Sequence, residues 1–258
     1  MLPGTEAVGH ANRLPCKGRG QGEGFVVMKE SPVRALLVGA AGRMGRTIVG
    51  IARNDPKIEI AAQCDRGDAI EPAMAKSDVT IDFSHADAID EICRVSREHR
   101  QPLVIGTTGH SRVQRQKIES AAKEIPVVFA ANFSVGVNAL FVLARKAAEL
   151  LGNEFEIEIV ETHHRMKKDA PSGTAKTLAE ILQKTRNVDS EVPIQSIREG
   201  DVVGEHTAIF NGPGERVELT HCAASREIFA GGALRAAQWI VGKAPGLYSM
   251  EDVLGLKL

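Results

Sequence analysis

The sequence predicts an α/β protein of two domains, a doubly wound parallel sheet joined to a smaller α+β domain with a mainly antiparallel sheet. Short apolar runs alternate with helix-length segments up to residue 130, as in parallel α/β sheets. From residue 155 the pattern changes to strictly alternating strands separated by turn residues. We predict a first domain at 33–132, completed by 240–258, and a second at 133–239.

The elements of the first domain follow in order along the chain. Strands are predicted at 33–38, 58–64, 79–83, 103–105 and 127–130. Helices are predicted at 47–53, within 66–76, at 86–100 and at 112–124. Ligands bind beyond the carboxyl ends of parallel strands, and every predicted strand here ends in small, polar or glycine-containing residues. These strand ends are therefore the expected binding edge.

The second domain is predicted to begin with a helix at 138–151. Strands are expected at 155–159, 195–199, 206–211 and 216–222, with a helix at 172–184. A final helix at 231–241 and the tail are expected to pack back on the first domain. Residues 1–32 lack apolar periodicity and are expected to be a disordered extension; one hypothesis places the natural start at Met28.

Composition excludes several classes of protein. The 258 residues carry a net charge of −1, so no basic field attracts nucleic acid or an anionic membrane. No apolar run approaches the roughly 20 residues that span a bilayer. The four cysteines are scattered without the spacing of a zinc site or a disulfide framework. We expect a cytoplasmic protein with a small-molecule substrate and no metal.

The turn between the first strand and its helix carries the spacing G-x-x-G-x-x-G. Such a turn lets backbone approach a pyrophosphate that rests on the helix N-terminus, which predicts a Rossmann-like site. Packing alone also produces glycine-rich turns, so that alternative stays open. The candidate residues of the turn are Gly39, Ala40, Ala41, Gly42, Arg43 and Met44.

Asp65 ends the second strand about 20 residues after the turn, where an acid meets the ribose hydroxyls of the nucleotide. Arg66 is suited to a 2′-phosphate, although a solvent-facing cation is an equal alternative. Together they predict NADH or NADPH as cofactor. Candidates for the nicotinamide half, with Asn132 for the carboxamide, are Gly106, Thr107, Thr108, Ala130, Ala131, Asn132 and Phe133. Phe133 or Phe83 is the candidate for packing on the ring, although a place in the core is the commoner alternative for each.

The segment 161–175 brings together the groups that proton transfer to an anion requires. His163, His164 and Lys167 donate protons near neutral pH when their pKa values are tuned. Ser172-Gly173-Thr174 opens a helix whose N–H groups hold carboxylate. The alternative is a solvated basic loop. Adjacent histidines on an extended chain point opposite ways, which argues against a shared metal.

These motifs resemble those of the dihydrodipicolinate reductases. The resemblance covers roughly 33–258 and lies in VGAAGRMGR at 38–46, VIGTTG at 104–109, ANFSVGVN at 131–138, the His-His run and GEHTA at 204–208. It implies hydride transfer from NADH or NADPH to a cyclic imine dicarboxylate in the diaminopimelate route to lysine. It also implies a homotetramer built through the second domain's sheet.

The resemblance also assigns roles to the residues of the 161–175 segment. It makes His163 the catalytic acid and Lys167 the second proton donor, and gives the substrate carboxylates to His164, Lys167, Ser172, Gly173 and Thr174. The stretch 66–80 is shorter than in many members. Two alternatives are an amino-acid dehydrogenase and a non-catalytic dinucleotide sensor; the His-His-x-x-Lys run argues against both.

Overall fold

The computed structural model describes residues 31–187 and 190–256. Most of the predicted disordered extension, with Met28 and Cys16, lies outside these residues. In the described part, no helix is long and apolar enough to cross a membrane. Cys64, Cys93 and Cys222 are free thiols.

Ten strands and eight α-helices form the described chain. The strands are β1 Val33–Val38, β2 Ile58–Cys64, β3 Val79–Asp82, β4 Leu103–Ile105, β5 Pro126–Phe129, β6 Glu156–His163, β7 Ile194–Arg198, β8 Gly204–Gly212, β9 Glu215–Ala223 and β10 Gly246–Tyr248. The helices are α1 Arg43–Ala52, α2 Glu71–Met74, α3 Ile89–Glu98, α4 Arg112–Ala121, α5 Val135–Leu151, α6 Gly173–Arg186, α7 Glu227–Ile240 and α8 Met250–Leu254.

The first sheet has six parallel strands in the order β10-β5-β4-β3-β1-β2. The chain winds from β1 to β2 on one side and returns to β3 on the other, so the sheet has a switch point between β1 and β3. A crevice opens beyond the carboxyl ends of strands at such a point. The predicted parallel, doubly wound sheet is confirmed, and its binding edge lies where the glycine turn follows β1.

Several local details differ from the prediction, of which three follow. Helix α1 begins at Arg43, four residues before the predicted start, because Gly42 is already its N-cap. The segment predicted as one helix at 86–100 is a short 3-10 turn, Ala86–Ala88, followed by α3. Strand β10, which pairs with β5 at the sheet edge, was not predicted; its three residues are too few for a periodic signal.

Helix α7 packs on the first sheet. Its buried residues Ala230, Ala233 and Ala237 share one core with Leu37 of β1 and Ile81 of β3. The expected packing of this helix against the first sheet is thus present in the structure. The predicted domain boundary after residue 239 stays a prediction.

The second sheet has the order β7-β6-β8-β9. Strands β6, β8 and β9 are antiparallel neighbours, whereas β7 runs parallel to β6, so the sheet is mixed but mainly antiparallel. Helices α5 and α6 cover one face, where Ile159, Ala208 and Phe210 are fully buried. On the other face, Val160 and Thr207 are partly exposed and Thr220 is exposed.

Two adjacent glycines of α7 test this packing. A methyl group on Gly232 would collide with the backbone carbonyl of Phe133, whereas one on Gly231 meets nothing within 4 Å. We expect Gly232→Ala to destabilise the fold by about 1–3 kcal/mol through overpacking. Gly231→Ala should stabilise it by up to about 1 kcal/mol, because alanine is the better helix former. Urea unfolding of both variants measures this; equal effects would contradict the packing.

Candidate active site

The glycine turn after β1 is built for close backbone approach. Gly39 has φ +87°, and a Cβ there would collide with the backbone of Phe83. A Cβ on Gly45 would strike the carbonyls of Gly39 and Ala40, so α1 comes unusually near the turn. Gly42 caps α1 without a side chain, and Ala41, Gly42 and Arg43 are exposed. The N–H groups at this helix start fit an anionic pyrophosphate.

Asp65 lies beside this turn, as predicted. Its carboxylate oxygens accept hydrogen bonds from the Ala41 backbone N–H at 3.0 and 3.1 Å. Asp65 and the exposed Arg66 border a cleft of about 380 Å³. Asp68, Asp87 and Glu91 line the same cleft, which makes its wall mainly acidic.

The loop after β4 supports the floor of the crevice. Thr107 is buried, and its hydroxyl accepts a hydrogen bond from the Ser84 N–H at 2.9 Å. The Phe83 ring occupies the space that a side chain on Gly106 would fill. Thr108 is exposed. This loop therefore presents Thr108 and backbone to a ligand.

In the loop after β5, the structure corrects the prediction for the Phe133 ring. The Phe133 ring is 2% exposed and packs in the core against Phe83, with ring centroids 5.7 Å apart. It is therefore a core residue and does not offer its ring face to a nicotinamide, whereas Ala130, Asn132 and the exposed Ala131 border the crevice. The Asn132 amide donates to the Thr174 hydroxyl at 3.0 Å, which links the two predicted binding regions.

The region predicted to donate protons begins at the end of β6. Alternation along this strand turns Ile159, Glu161 and His163 to the buried face. The Nδ1 atom of His163 is hydrogen-bonded to Glu161, whose carboxylate is completely buried. The other Glu161 oxygen accepts from the Arg198 guanidinium at 2.7 Å and from the Ser172 N–H at 3.3 Å.

The burial of these groups sets their protonation. Burial would raise the pKa of Glu161, but hydrogen bonds from Arg198 and His163 outweigh it and lower the pKa to about 2. Burial lowers the pKa of His163, although the adjacent Glu161 opposes that shift. Burial, with a further contribution from His163, lowers the pKa of His206 to about 4. His206 is therefore neutral at pH 7, beside an ionised Glu161.

Lys167 and His164 lie on the loop that follows β6. The Lys167 ammonium pairs with the Asp169 carboxylate at 2.8 Å, and the Lys167 side chain is 20% exposed. His164 is half-buried and lies 3.5 Å from the Arg226 guanidinium, away from the buried His163. The two histidines thus have different surroundings, and only His163 belongs to the Glu161 network.

At the start of α6, Ser172 is buried, whereas the two residues after it are accessible. The Ser172 hydroxyl accepts from the Ala175 N–H at 3.2 Å, and His206 Nε2 lies 3.1 Å from it. Ser172 is 2% exposed, so its hydroxyl caps the helix and is not offered to a substrate. Gly173 is exposed and Thr174 is half-exposed. Their backbone N–H groups are the part of this site that a carboxylate can reach.

Sequence reasoning missed three residues of this site: Glu161 and Arg198 were given no role, and His206 appeared only within the GEHTA match. The strand register brings them together, because Glu161 pairs with His206 on β8 and His163 pairs with Arg198 on β7. Potential metal-ligand atoms of Glu161, His163 and His206 lie within 4.8 Å of one another. Hydrogen bonding and the Arg198 cation already satisfy Glu161, and the absence of a metal stays a prediction.

Comparison with known proteins then decides the family. The model for the dihydrodipicolinate reductase N-terminus matches residues 33–133, and the model for the C-terminus matches 136–254. This chain belongs to the dihydrodipicolinate reductase family. A 4-hydroxy-tetrahydrodipicolinate reductase of Akkermansia muciniphila is 50% identical over 242 residues, covering 87% of this chain and 98% of that protein.

One further relative supports the family assignment, and one solved structure supports the fold. The 4-hydroxy-tetrahydrodipicolinate reductase of Alkalilimnicola ehrlichii is 41% identical over 264 residues, covering 86% of this chain and 99% of that protein. A dipicolinate-bound dihydrodipicolinate reductase from Paenisporosarcina sp. TG-14 superposes with a TM-score of 0.75 at 24% identity, covering 86% of this chain and 98% of the other. At that identity, the structural likeness shows the fold.

The buried His206 predicts a pH effect on stability. Its pKa is about 4 in the folded protein and about 6.5 when unfolded, so the unfolded chain binds the extra proton as pH falls. Stability from this group is complete above pH 6.5 and is lost toward pH 4. His206→Gln should therefore reduce the fall in unfolding free energy between pH 7 and pH 5 by about 2 kcal/mol.

Urea unfolding at both pH values measures the effect. His85→Gln is the matched control, because the His85 side chain is 80% exposed. An identical pH dependence in wild type and His206→Gln would show that His206 is not held neutral by burial.

Proposed function

We propose that this chain catalyses reduction of 4-hydroxy-tetrahydrodipicolinate, or the dihydrodipicolinate formed from it, to tetrahydrodipicolinate in lysine biosynthesis by the diaminopimelate route. The single observation that carries the proposal is the Asn132–Thr174 hydrogen bond of 3.0 Å. It joins the loop at the dinucleotide crevice to a helix start suited to carboxylate, close to the buried His163. A hydride donor, an acid and an anionic ring are thereby brought to one place.

Proton delivery in this reaction is assigned to His163 and Lys167. A nicotinamide held at the crevice would supply a hydride to the conjugated imine, and the electron density left on the ring would have to be protonated. One proton balances the hydride, and His163 donates it. The Lys167 cation stabilises the developing negative charge and is the second candidate donor of that same proton. Lys167 exchanges its Asp169 partner for the substrate, since both partners are carboxylates.

Substrate binding is assigned to the N-terminus of α6 and the loop before it. The N–H groups of Gly173 and Thr174 hold one carboxylate, with the helix dipole adding to the attraction. His164 and Lys167 hold the other. Ser172 contributes by fixing the helix start through its cap. These residues distinguish a dicarboxylate from a neutral ring of the same size.

We propose that both NADH and NADPH are accepted. Asp65, at the end of β2, holds the ribose hydroxyls of NADH. Arg66 offers a guanidinium to the 2′-phosphate of NADPH. Three further carboxylates line this cleft, so without Arg66 a phosphate would meet only repulsion from the acidic side chains of the wall.

A homotetramer and a cytoplasmic location complete the proposal. Val160, Thr207 and Thr220 form a cross-strand row on the face of the second sheet that α5 and α6 leave open. Association through this face would cover it. Free thiols at Cys64, Cys93 and Cys222 suit a reducing compartment.

The direct test of the activity is nucleotide oxidation followed at 340 nm. The synthase that condenses pyruvate with aspartate semialdehyde generates the unstable substrate in the cuvette. We expect oxidation of NADH and NADPH that depends on the synthase. No oxidation by a protein that binds NADH in a separate titration would refute the proposal.

Removal of either proton donor should slow turnover. We expect His163→Ala and Lys167→Ala each to lower kcat by about two orders of magnitude or more, the usual loss when general acid catalysis fails. His99→Ala and the exposed neighbour Lys168→Ala are controls that should keep wild-type kcat. Near wild-type turnover in His163→Ala and Lys167→Ala would remove both residues from the mechanism.

Arg66 should discriminate between the two nucleotides. We expect Arg66→Ala to raise the Kd of NADPH several-fold more than that of NADH, because only NADPH carries the 2′-phosphate. Nucleotide fluorescence titration measures both constants without substrate. Arg53→Ala, an exposed arginine after α1, is the control. Equal effects on both nucleotides would mean that Arg66 does not contact the phosphate.

A further inference from the structure

The completely buried Glu161 carboxylate contacts three separate parts of the candidate site. One oxygen bonds to His163 Nδ1 within β6, and the other accepts from Arg198 on β7 and from the Ser172 N–H at the start of α6. Burying an ion pair costs desolvation free energy, and removing one of its two members destabilises the fold still more. A carboxylate in this position is therefore expected to serve the geometry of the site more than the stability of the fold.

The two nitrogens of His163 have opposite surroundings. Nδ1 is bound to Glu161, whereas Nε2 has no hydrogen-bond partner among residues 31–187 and 190–256. Nε2 points toward Gly204 on β8, where a Cβ would lie 3.0 Å from it. Any side chain at residue 204 would crowd that nitrogen. Because residue 204 is a glycine, Nε2 stays accessible, whereas Nδ1 is held by Glu161.

Four charged or titratable groups surround the His163 ring. Glu161 lies on the same strand, Arg198 on β7 and Lys167 on the loop after β6, while the His206 ring packs edge-on at 5.1 Å between centroids. Lys167, Arg198 and burial all disfavour the imidazolium form. Only Glu161 favours it.

We propose that Glu161, kept ionised by Arg198, is a positioning residue that holds the Nδ1–H of His163 and so makes Nε2 the atom that transfers the proton. This inference rests on the proposed function. In the imidazolium form both nitrogens carry a proton; Nε2 gives its proton to the reduced ring, and Nδ1–H stays bonded to Glu161. Solvent then returns one proton to Nε2, and Glu161 gains none.

Glu161→Gln tests the proposal through turnover and its pH dependence. We expect kcat to fall at least about tenfold, with the Kd of NADH changed less than twofold. An acid catalyst loses activity as pH rises through its pKa, and removal of the carboxylate charge lowers that pKa. The limb on which kcat falls with rising pH should therefore move about one unit or more to lower pH. Glu161→Asp should recover part of both effects.

Three controls separate positioning from folding. Glu156→Gln makes the same change at an exposed residue of β6 and should leave kcat and the pH profile as in wild type. Glu161→Gln combined with Arg198→Gln removes both members of the buried pair. We expect the double variant to recover thermal stability relative to Glu161→Gln but not the wild-type pH profile. Recovery of that profile along with stability would reduce Glu161 to a structural role.

A measurement that needs no substrate keeps this inference distinct from the proposed function. In ¹⁵N-labelled protein at a pH where His163 is neutral, the imidazole shifts should show the proton on Nδ1 in wild type and a mixture of tautomers in Glu161→Gln. A protein without reductase activity that shows this change would refute the function and retain the positioning. An unchanged tautomer and pH profile in Glu161→Gln would overturn the inference.

Discussion

The Glu161–Arg198 pair is the constraint on which the substrate half of the molecule depends. A carboxylate without solvent is stable in its ionised form only if a cation and further hydrogen bonds compensate for the lost hydration. Arg198 and the Ser172 N–H supply them, and in doing so they fix β7 and the start of α6 relative to β6. His163, the proposed acid, and the start of α6, the proposed carboxylate site, therefore take their positions from one buried group.

The other half of the molecule is organised by close backbone approach. Gly39 and Gly45 let α1 approach the β1 turn, which leaves N–H groups open at the switch point of the sheet. Helix α7 covers this sheet and, through Gly232, presses on the backbone of Phe133. The residue before Phe133 is Asn132, whose amide donates a hydrogen bond to Thr174 in α6. Packing of α7 thus restrains the loop 130–133, which connects the dinucleotide crevice with α6.

Local sequence signals predicted most of the fold and the placement of Asp65 beside the glycine turn. Hydrophobic runs located the strands of both sheets, and the glycine spacing located the dinucleotide turn with Asp65 beside it. The starts of α1 and α3 differed from the predicted ones, because capping and 3-10 geometry depend on a few residues. Strand β10 has three residues, which is too short for hydrophobic periodicity to detect.

Long-range register explains what the sequence did not reveal. Arg198 and His206 lie 35 and 43 positions after His163 (198 − 163 and 206 − 163), and only the pairing of β6 with β7 and β8 brings them to it. A strand glutamate in the buried phase of the alternation, two residues before His163, was the available signal for Glu161. The sequence left Phe133 open between the nicotinamide ring and the core, because its burial by α7 depends on a helix about 100 residues later in the chain.

The most direct test of the account is a crystal structure of this chain with NADH and pyridine-2,6-dicarboxylate, a flat analogue of the substrate ring. The account predicts the dinucleotide on the Gly39 turn, one carboxylate on the N–H groups of Gly173 and Thr174, and His163 Nε2 facing the ring. A dicarboxylate bound away from α6, or with Nε2 turned from it, would contradict the account.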